Sequence, residues 1–126
     1  MSKFMCSCGE IIYDQSDRLP YKGYFFADTQ YFDIIDKITE EITDFIEARV
    51  AGREREWIGQ SFLKGYPCNK DSDVVHDIIT RHLSQGNRDV YQCSNCGRIH
   101  VECRGDSSRL DSFSPDETPH KDVFSR

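Results

Sequence analysis

Two short cysteine motifs at opposite ends of the chain constrain its fold more than any other feature. Cys6-Ser7-Cys8-Gly9 lies near the start, Cys93-Ser94-Asn95-Cys96-Gly97 lies near the end, and 84 residues separate Cys8 from Cys93. Thiolates a few residues apart on a tight turn can converge on one ion, and a glycine just after the second cysteine tolerates the backbone that such a turn needs. Together Cys6, Cys8, Cys93 and Cys96 offer four sulfurs, which close a tetrahedral Zn2+ site and leave no position for a reacting water. Redox use of the same residues fits less well. A disulfide between Cys6 and Cys8 would be strained, and a redox C-x-x-C opens a helix, whereas Cys93 and Cys96 stand between two strand-like runs.

The chain resembles the zinc-ribbon proteins, in which two knuckles on short β-hairpins clamp one ion. The likeness covers Lys3-Phe4-Met5-Cys6-Ser7-Cys8-Gly9-Glu10-Ile11-Ile12 and Asp89-Val90-Tyr91-Gln92-Cys93-Ser94-Asn95-Cys96-Gly97-Arg98-Ile99-His100-Val101. By that resemblance the four cysteines are ligands of a single structural Zn2+. The first knuckle departs from the pattern by being C-x-C, and the spacer between knuckles is far longer than a ribbon's. Ribbons serve transcription, translation, enzymes and plain protein contacts, so the likeness implies a fold and a metal rather than an activity.

The expected fold is therefore α+β: a small antiparallel zinc-ribbon sheet built from the N- and C-terminal segments, with a two-helix insertion between the knuckles. Residues 1–114 read as one domain, the insertion spans about 28–85, and 115–126 form a polar tail with little structure unless something holds it. Lys3 to Cys6 and Glu10 to Tyr13 read as strands, and Tyr21 to Ala27 as an extended segment. Asp89 to Gln92, Arg98 to Cys103 and Arg109 to Ser114 alternate as a three-stranded sheet turning at Arg104 to Ser108.

Between these ends the period changes to helical. A first helix is predicted from Asp28 to about Ala51, capped by Asp28 or Thr29 and ended by Gly52, with Tyr31, Ile34, Ile35, Ile38, Ile42, Phe45 and Ile46 facing a core. A mixed-charge, irregular or short helical piece follows around Trp57, itself expected to be buried or half-buried. A second helix is predicted from Asp73 to Ser84, capped by Ser72, with Val74, Val75, Ile78, Ile79 and Leu83 inward. Its histidines, His76 and His82, read as ordinary surface residues, because their spacing lacks the i,i+4 geometry of a helical metal motif.

The outer side of the first helix carries a second signal. Asp33, Asp36, Glu40, Asp44 and Glu47 fall within about 80° of one another on a helical wheel. From Asp28 to Glu47 there are seven acids and one base, so this stretch nets −6 and accounts for the charge of the whole 126-residue chain. Like charges at i,i+4 cost about 0.2 to 0.5 kcal/mol per pair. Two readings fit: a solvated face kept polar for solubility, or a docking surface for a basic partner. Arg49, Arg53 and Arg55 are candidates to answer the acids, or to meet an anion.

These features restrict the function classes. A net −6 disfavours a general nucleic-acid binder, although Arg98, Arg104 and Arg109 give the C-terminal sheet a possible phosphate contact as a regulatory ribbon. No apolar run spans a membrane, and the N-terminus has no secretory stretch; with metal-bound thiolates this points to a reducing, cytoplasmic setting. No phosphate-cradling loop, nucleophile elbow or His-carboxylate cluster suggests an enzyme. Cys68 and Cys103 read as buried or edge thiols. In size and charge the chain resembles the small acidic immunity proteins of bacterial toxin pairs. The expectation is a non-enzymatic module that binds a basic protein, with a toxin as the specific candidate.

Overall fold

In the computed structural model, which describes residues 2–67, 70–116 and 122–125, the chain is α+β, with three helices and two antiparallel sheets among those residues. Contacts divide it into two compact units, Met1–Phe26 with Asn87–Arg126, and Ala27–Gly86.

The first unit begins with β1 (Lys3–Met5) and β2 (Ile11–Tyr13), which pair antiparallel with Phe4 opposite Ile12. Strand alternation turns these two side chains to one side. There Ile12 is buried with Cys6, Tyr91 and Cys93, and Phe4 packs against them. A two-stranded hairpin is marginal alone in water, so this shared cluster supplies the burial that the hairpin lacks.

The second sheet has the order β3-β4-β5-β6, formed by β3 (Lys22–Phe25), β4 (Arg88–Gln92), β5 (Ile99–Cys103) and β6 (Asp106–Phe113). The sequence predicts only the last three as a sheet. β3 joins them beside β4, with Lys22 opposite Tyr91 and Phe25 opposite Arg88, a distant pairing that no local pattern reports. The final turn is tighter than expected, because Cys103 already pairs with Asp106 and Gly105 takes a φ of +79°. The lost register is absorbed by an irregularity after Glu102.

Polar groups lock β3 and β4 to the end of the hairpin. Lys22 Nζ lies 2.8 Å from Asp14 Oδ2 and 3.5 Å from Asp89 Oδ2, and the Tyr91 hydroxyl donates to Asp14 at 2.6 Å. Burial pushes the Asp14 carboxyl upward, but Lys22 and Tyr91 outweigh it and hold it below the usual carboxylate range. Burial and Asp14 together push the Tyr91 phenol far above its ordinary value, so it acts as a donor.

Part of the predicted tail lies outside the described residues, namely 117–121 and 126. Its described piece is held by the sheet. Val123 N donates to Gln92 Oε1 at 2.8 Å, and the Phe124 ring occupies the space over Gly23, where an added Cβ would stand 2.5 Å from Cε1.

The helical unit comprises α1 (Asp28–Val50), α2 (Glu54–Ser61) and α3 (Asp71–Gly86). Asp28 and Thr29 do not cap α1: Ala27 occupies the N-cap with no side-chain hydrogen bond, and Asp28 sits in the first turn. The other end follows expectation. Gly52, at φ +72°, lets its N–H reach Arg49 O while Arg53 N reaches Ala48 O, the paired bonds of a Schellman stop. The piece around Trp57 is the regular helix α2. α3 starts earlier than predicted, with Asp73 N and Val74 N both bonded to Lys70 O, so Ser72 lies inside the first turn and is not its cap.

Phe45, Val74 and Ile78 form the buried centre of this unit, with Ile42, Trp57, Ile58 and Phe62 packed around them. Trp57 is half-buried, its ring 5.2 Å from Phe45 and 6.2 Å from Phe62. The inward face of α1 is rotated from the predicted one. Phe45 and Ala48 are buried and Ile34, Ile38 and Ile42 half-buried, whereas Tyr31, Ile35 and Ile46 are exposed. The apolar arc of α1 is wider than the row that packs against α3.

Candidate metal centre

Both knuckles are built as strand-to-strand turns of related design. In the first, between β1 and β2, Cys6 N donates to Glu10 O at 2.8 Å and Gly9 N to Cys6 O at 2.9 Å. In the second, between β4 and β5, Cys93 N donates to Arg98 O at 2.9 Å and Gly97 N to Cys93 O at 2.8 Å. Gly9 and Gly97 close these turns at φ +98° and +79°, a left-handed backbone that other residues adopt at a cost. The C-x-C motif fits because its turn closes one residue sooner than that of the C-x-x-C.

The two turns bring all four sulfurs within 4.8 Å of one another, and the group can hold one metal ion. Cys6 Sγ and Cys96 Sγ are 3.6 Å apart, as are Cys8 Sγ and Cys93 Sγ. For metal–sulfur bonds of about 2.3 Å, tetrahedral geometry sets neighbouring sulfurs about 3.8 Å apart, so the cluster has the size of such a site. All four cysteines are free thiols.

Hydrogen-bond donors are aimed at the sulfurs. Burial pushes the Cys6 thiol up, but the backbone N–H of Cys8 and the Cys96 side chain outweigh it and bring it below its ordinary value. Cys8, exposed, is lowered to about 6 by the Asn95 amide, 3.4 Å from its Sγ, and by the backbone N–H of Glu10. Cys93, fully buried, is pushed up to about 12 by desolvation against the opposing N–H groups of Cys96 and Asn95. Without a cation, the sites therefore divide into an ionised Cys8 and a protonated Cys93.

That donor set fits a soft divalent ion. Cys6 and Cys93 are at most 1 % exposed and sit among Ile12 and Tyr91, where an uncompensated thiolate would be costly. Among the described residues no Lys or Arg bonds to any of the sulfurs, so the charge of four thiolates falls to a bound cation to neutralise.

Two stabilising contacts are not apparent from cysteine spacing. Asn95, an intervening residue of the second knuckle, reaches a sulfur of the first. Arg98 donates to Ser7 between the knuckles and also to Ser114 Oγ at 3.0 and 3.2 Å. A polar amide inside C-x-x-C was the available signal for Asn95. The arginine's role had no local signal. Its bonds to two hydroxyls give Arg98 a structural occupation beside the phosphate contact expected of it, while Arg104 and Arg109 are exposed on the hairpin of β5 and β6. Cys103 is half-buried on β5, its thiol raised by desolvation and Asp111, and Cys68 lies outside the described residues.

The acidic residues behave in two ways. Asp33, Asp36, Glu40, Asp44 and Glu47 are all exposed along α1, and among the described residues none has an ion-pair partner. Glu41 instead turns inward, pairing with Arg81 and His82 of α3. His82 is thus no plain surface histidine: burial, then the charges of Arg81 and Lys37, hold it below its ordinary value, and its neutral ring can donate to Glu41. His76 is exposed as expected. Arg49 does not answer the ridge but lies 3.2 Å from both Glu54 and Asp71.

No helix among the described residues is long and apolar enough to cross a membrane. No curated protein and no solved structure matches the chain. One family model, described as a domain of unknown function (DUF8617), matches residues 2–117, and by that nearly complete match the chain belongs to this family.

Proposed function

We propose that the protein is a non-enzymatic binding module whose knuckles are closed by one structural Zn2+ and whose helix α1 docks a basic protein. The observation supporting the metal is the convergence of Cys6, Cys8, Cys93 and Cys96 within 4.8 Å, with N–H groups directed at the sulfurs. Four thiolates in tetrahedral reach suit zinc and occupy every position, so the ion serves folding rather than chemistry. When bound, it would supply the positive charge that lets two buried sulfurs ionise.

The docking reading rests on the five exposed acids of α1, none of which forms an ion pair among the described residues and which have only Lys37 as a cation among them on the helix. Such a field speeds encounter with a cationic surface and selects against acidic ones. Within this class the specific reading is an immunity protein that neutralises a basic toxin in the cytoplasm, supported by small size and a net charge of −6.

Elemental analysis of freshly reduced protein tests the first part, with one zinc per chain expected. For the second, the purified chain should recover a basic protein from its native cell, with recovery falling on Glu40→Lys and Asp44→Lys. Retention of nucleic acid at low salt, lost steeply as salt rises, would instead establish a phosphate-binding ribbon.

A further inference from the structure

Helix α1 carries two rows of small and apolar side chains, and only one packs inside the helical unit. The packed row includes Phe45 and Ala48, both buried. The second consists of Phe32, Ile35, Thr39, Thr43, Ile46 and Val50. Their steps of three and four residues average one helical turn, so at 100° per residue they fall within an arc of about 80°. All six are exposed, Phe32 by 65 %, Ile46 by 54 % and Val50 by 85 %. The threonines add little polarity, because Thr39 Oγ1 donates to Ile35 O and Thr43 Oγ1 to Thr39 O, each at 2.8 Å. Their hydroxyls are occupied by their own helix, which leaves the methyl groups as the apolar part of each side chain.

At about 1.5 Å per residue this row runs for about 27 Å. Along one side it is bordered by Asp33, Asp36, Glu40, Asp44 and Glu47, which fill the adjoining arc of about 80°. A continuous exposed apolar row rimmed by one sign of charge has the form of a helix-docking seam. Charge decides which helix fits. A second copy of this chain would bring another helical stretch of −6 to the contact, with Lys37 as its single cation against seven acids.

We propose that this second row of α1, with the acidic ridge as its rim, receives an amphipathic helix of a partner protein that carries Lys or Arg along one edge of its apolar face. The proposal rests on the protein-docking reading above and adds that apolar burial, and not charge alone, holds the partner.

The test titrates the full, metal-loaded chain with a labelled helical peptide bearing a leucine row edged by lysines, and with an isomer whose leucines are scattered. The row peptide should bind. Ile35→Ser with Ile46→Ser should weaken it at least about tenfold, as loss of two buried isoleucine contacts requires. Metal content and circular dichroism of this exposed double variant should be unchanged. Equal affinity for the scattered isomer would overturn the seam while leaving the acidic docking surface standing. Failure of both lysine peptides to bind would overturn both. Dimerisation in sedimentation that the serine substitutions abolish would show a second copy as the occupant and overturn the proposal.

Discussion

The side-chain amide of Asn95 donates to the Sγ of Cys8 at 3.4 Å, although the two residues stand 87 positions apart in the chain. The bond joins one knuckle to the other and is directed at the most exposed of the four sulfurs. Such support around a metal site commonly contributes 10- to 100-fold in affinity. Asn95→Ala should therefore weaken metal binding by about tenfold or more, read by competition with a chelator, while the far-ultraviolet spectrum of the loaded protein stays unchanged.

Metal loading should release protons. Cys93, pushed up to about 12 by burial, holds its proton at neutral pH until a cation replaces it, whereas Cys8, lowered to about 6, is already ionised. Affinity should thus fall as pH is lowered, and fall more steeply below about pH 6, where Cys8 also binds a proton. A metal titration with a pH indicator in weakly buffered solution measures the release.

Removing the ion should loosen the fold, because ligand convergence is coupled to folding. Cys93→Ser, or a strong chelator, is expected to lower the melting temperature by about 10 °C or more. An unchanged melt after verified metal removal would show that the cysteine-lined cluster holds by packing alone.

Neighbouring glutamates on α1 should behave oppositely. Glu41 pairs with Arg81 and His82 across to α3, and its side chain is only 18 % exposed. Glu41→Ala should cost about 1 to 3 kcal/mol in denaturant unfolding. Glu40 faces water amid like charges, so Glu40→Ala should change stability by no more than about 0.5 kcal/mol.

Gly23 is where the sheet makes room for the Phe124 ring. Gly23→Ala should displace that ring and accelerate hydrogen exchange at the Val123 amide, now bonded to Gln92. Phe124→Ala in the same background should leave the exchange rate of the Gly23→Ala protein little changed, since the clash and the anchor are then both gone.

Local patterns determined much of this protein. The knuckles announce themselves through cysteine spacing and glycine, α1 through a long apolar period ended by Gly52, and β4, β5 and most of β6 through alternation. Each is encoded by residues close in sequence, where backbone geometry and side-chain periodicity act directly. Only the tertiary structure decided that β3 pairs with β4, that Glu41 is neutralised while Glu40 is not, and that Asn95 and Arg98 reach across to the first knuckle. Those outcomes depend on groups brought together over long stretches of chain, and the energy of a charge or a donor depends on what stands opposite it. The same applies to the inward face of α1. Periodicity supplies a broad apolar arc, but the helix packed against it selects which row is buried.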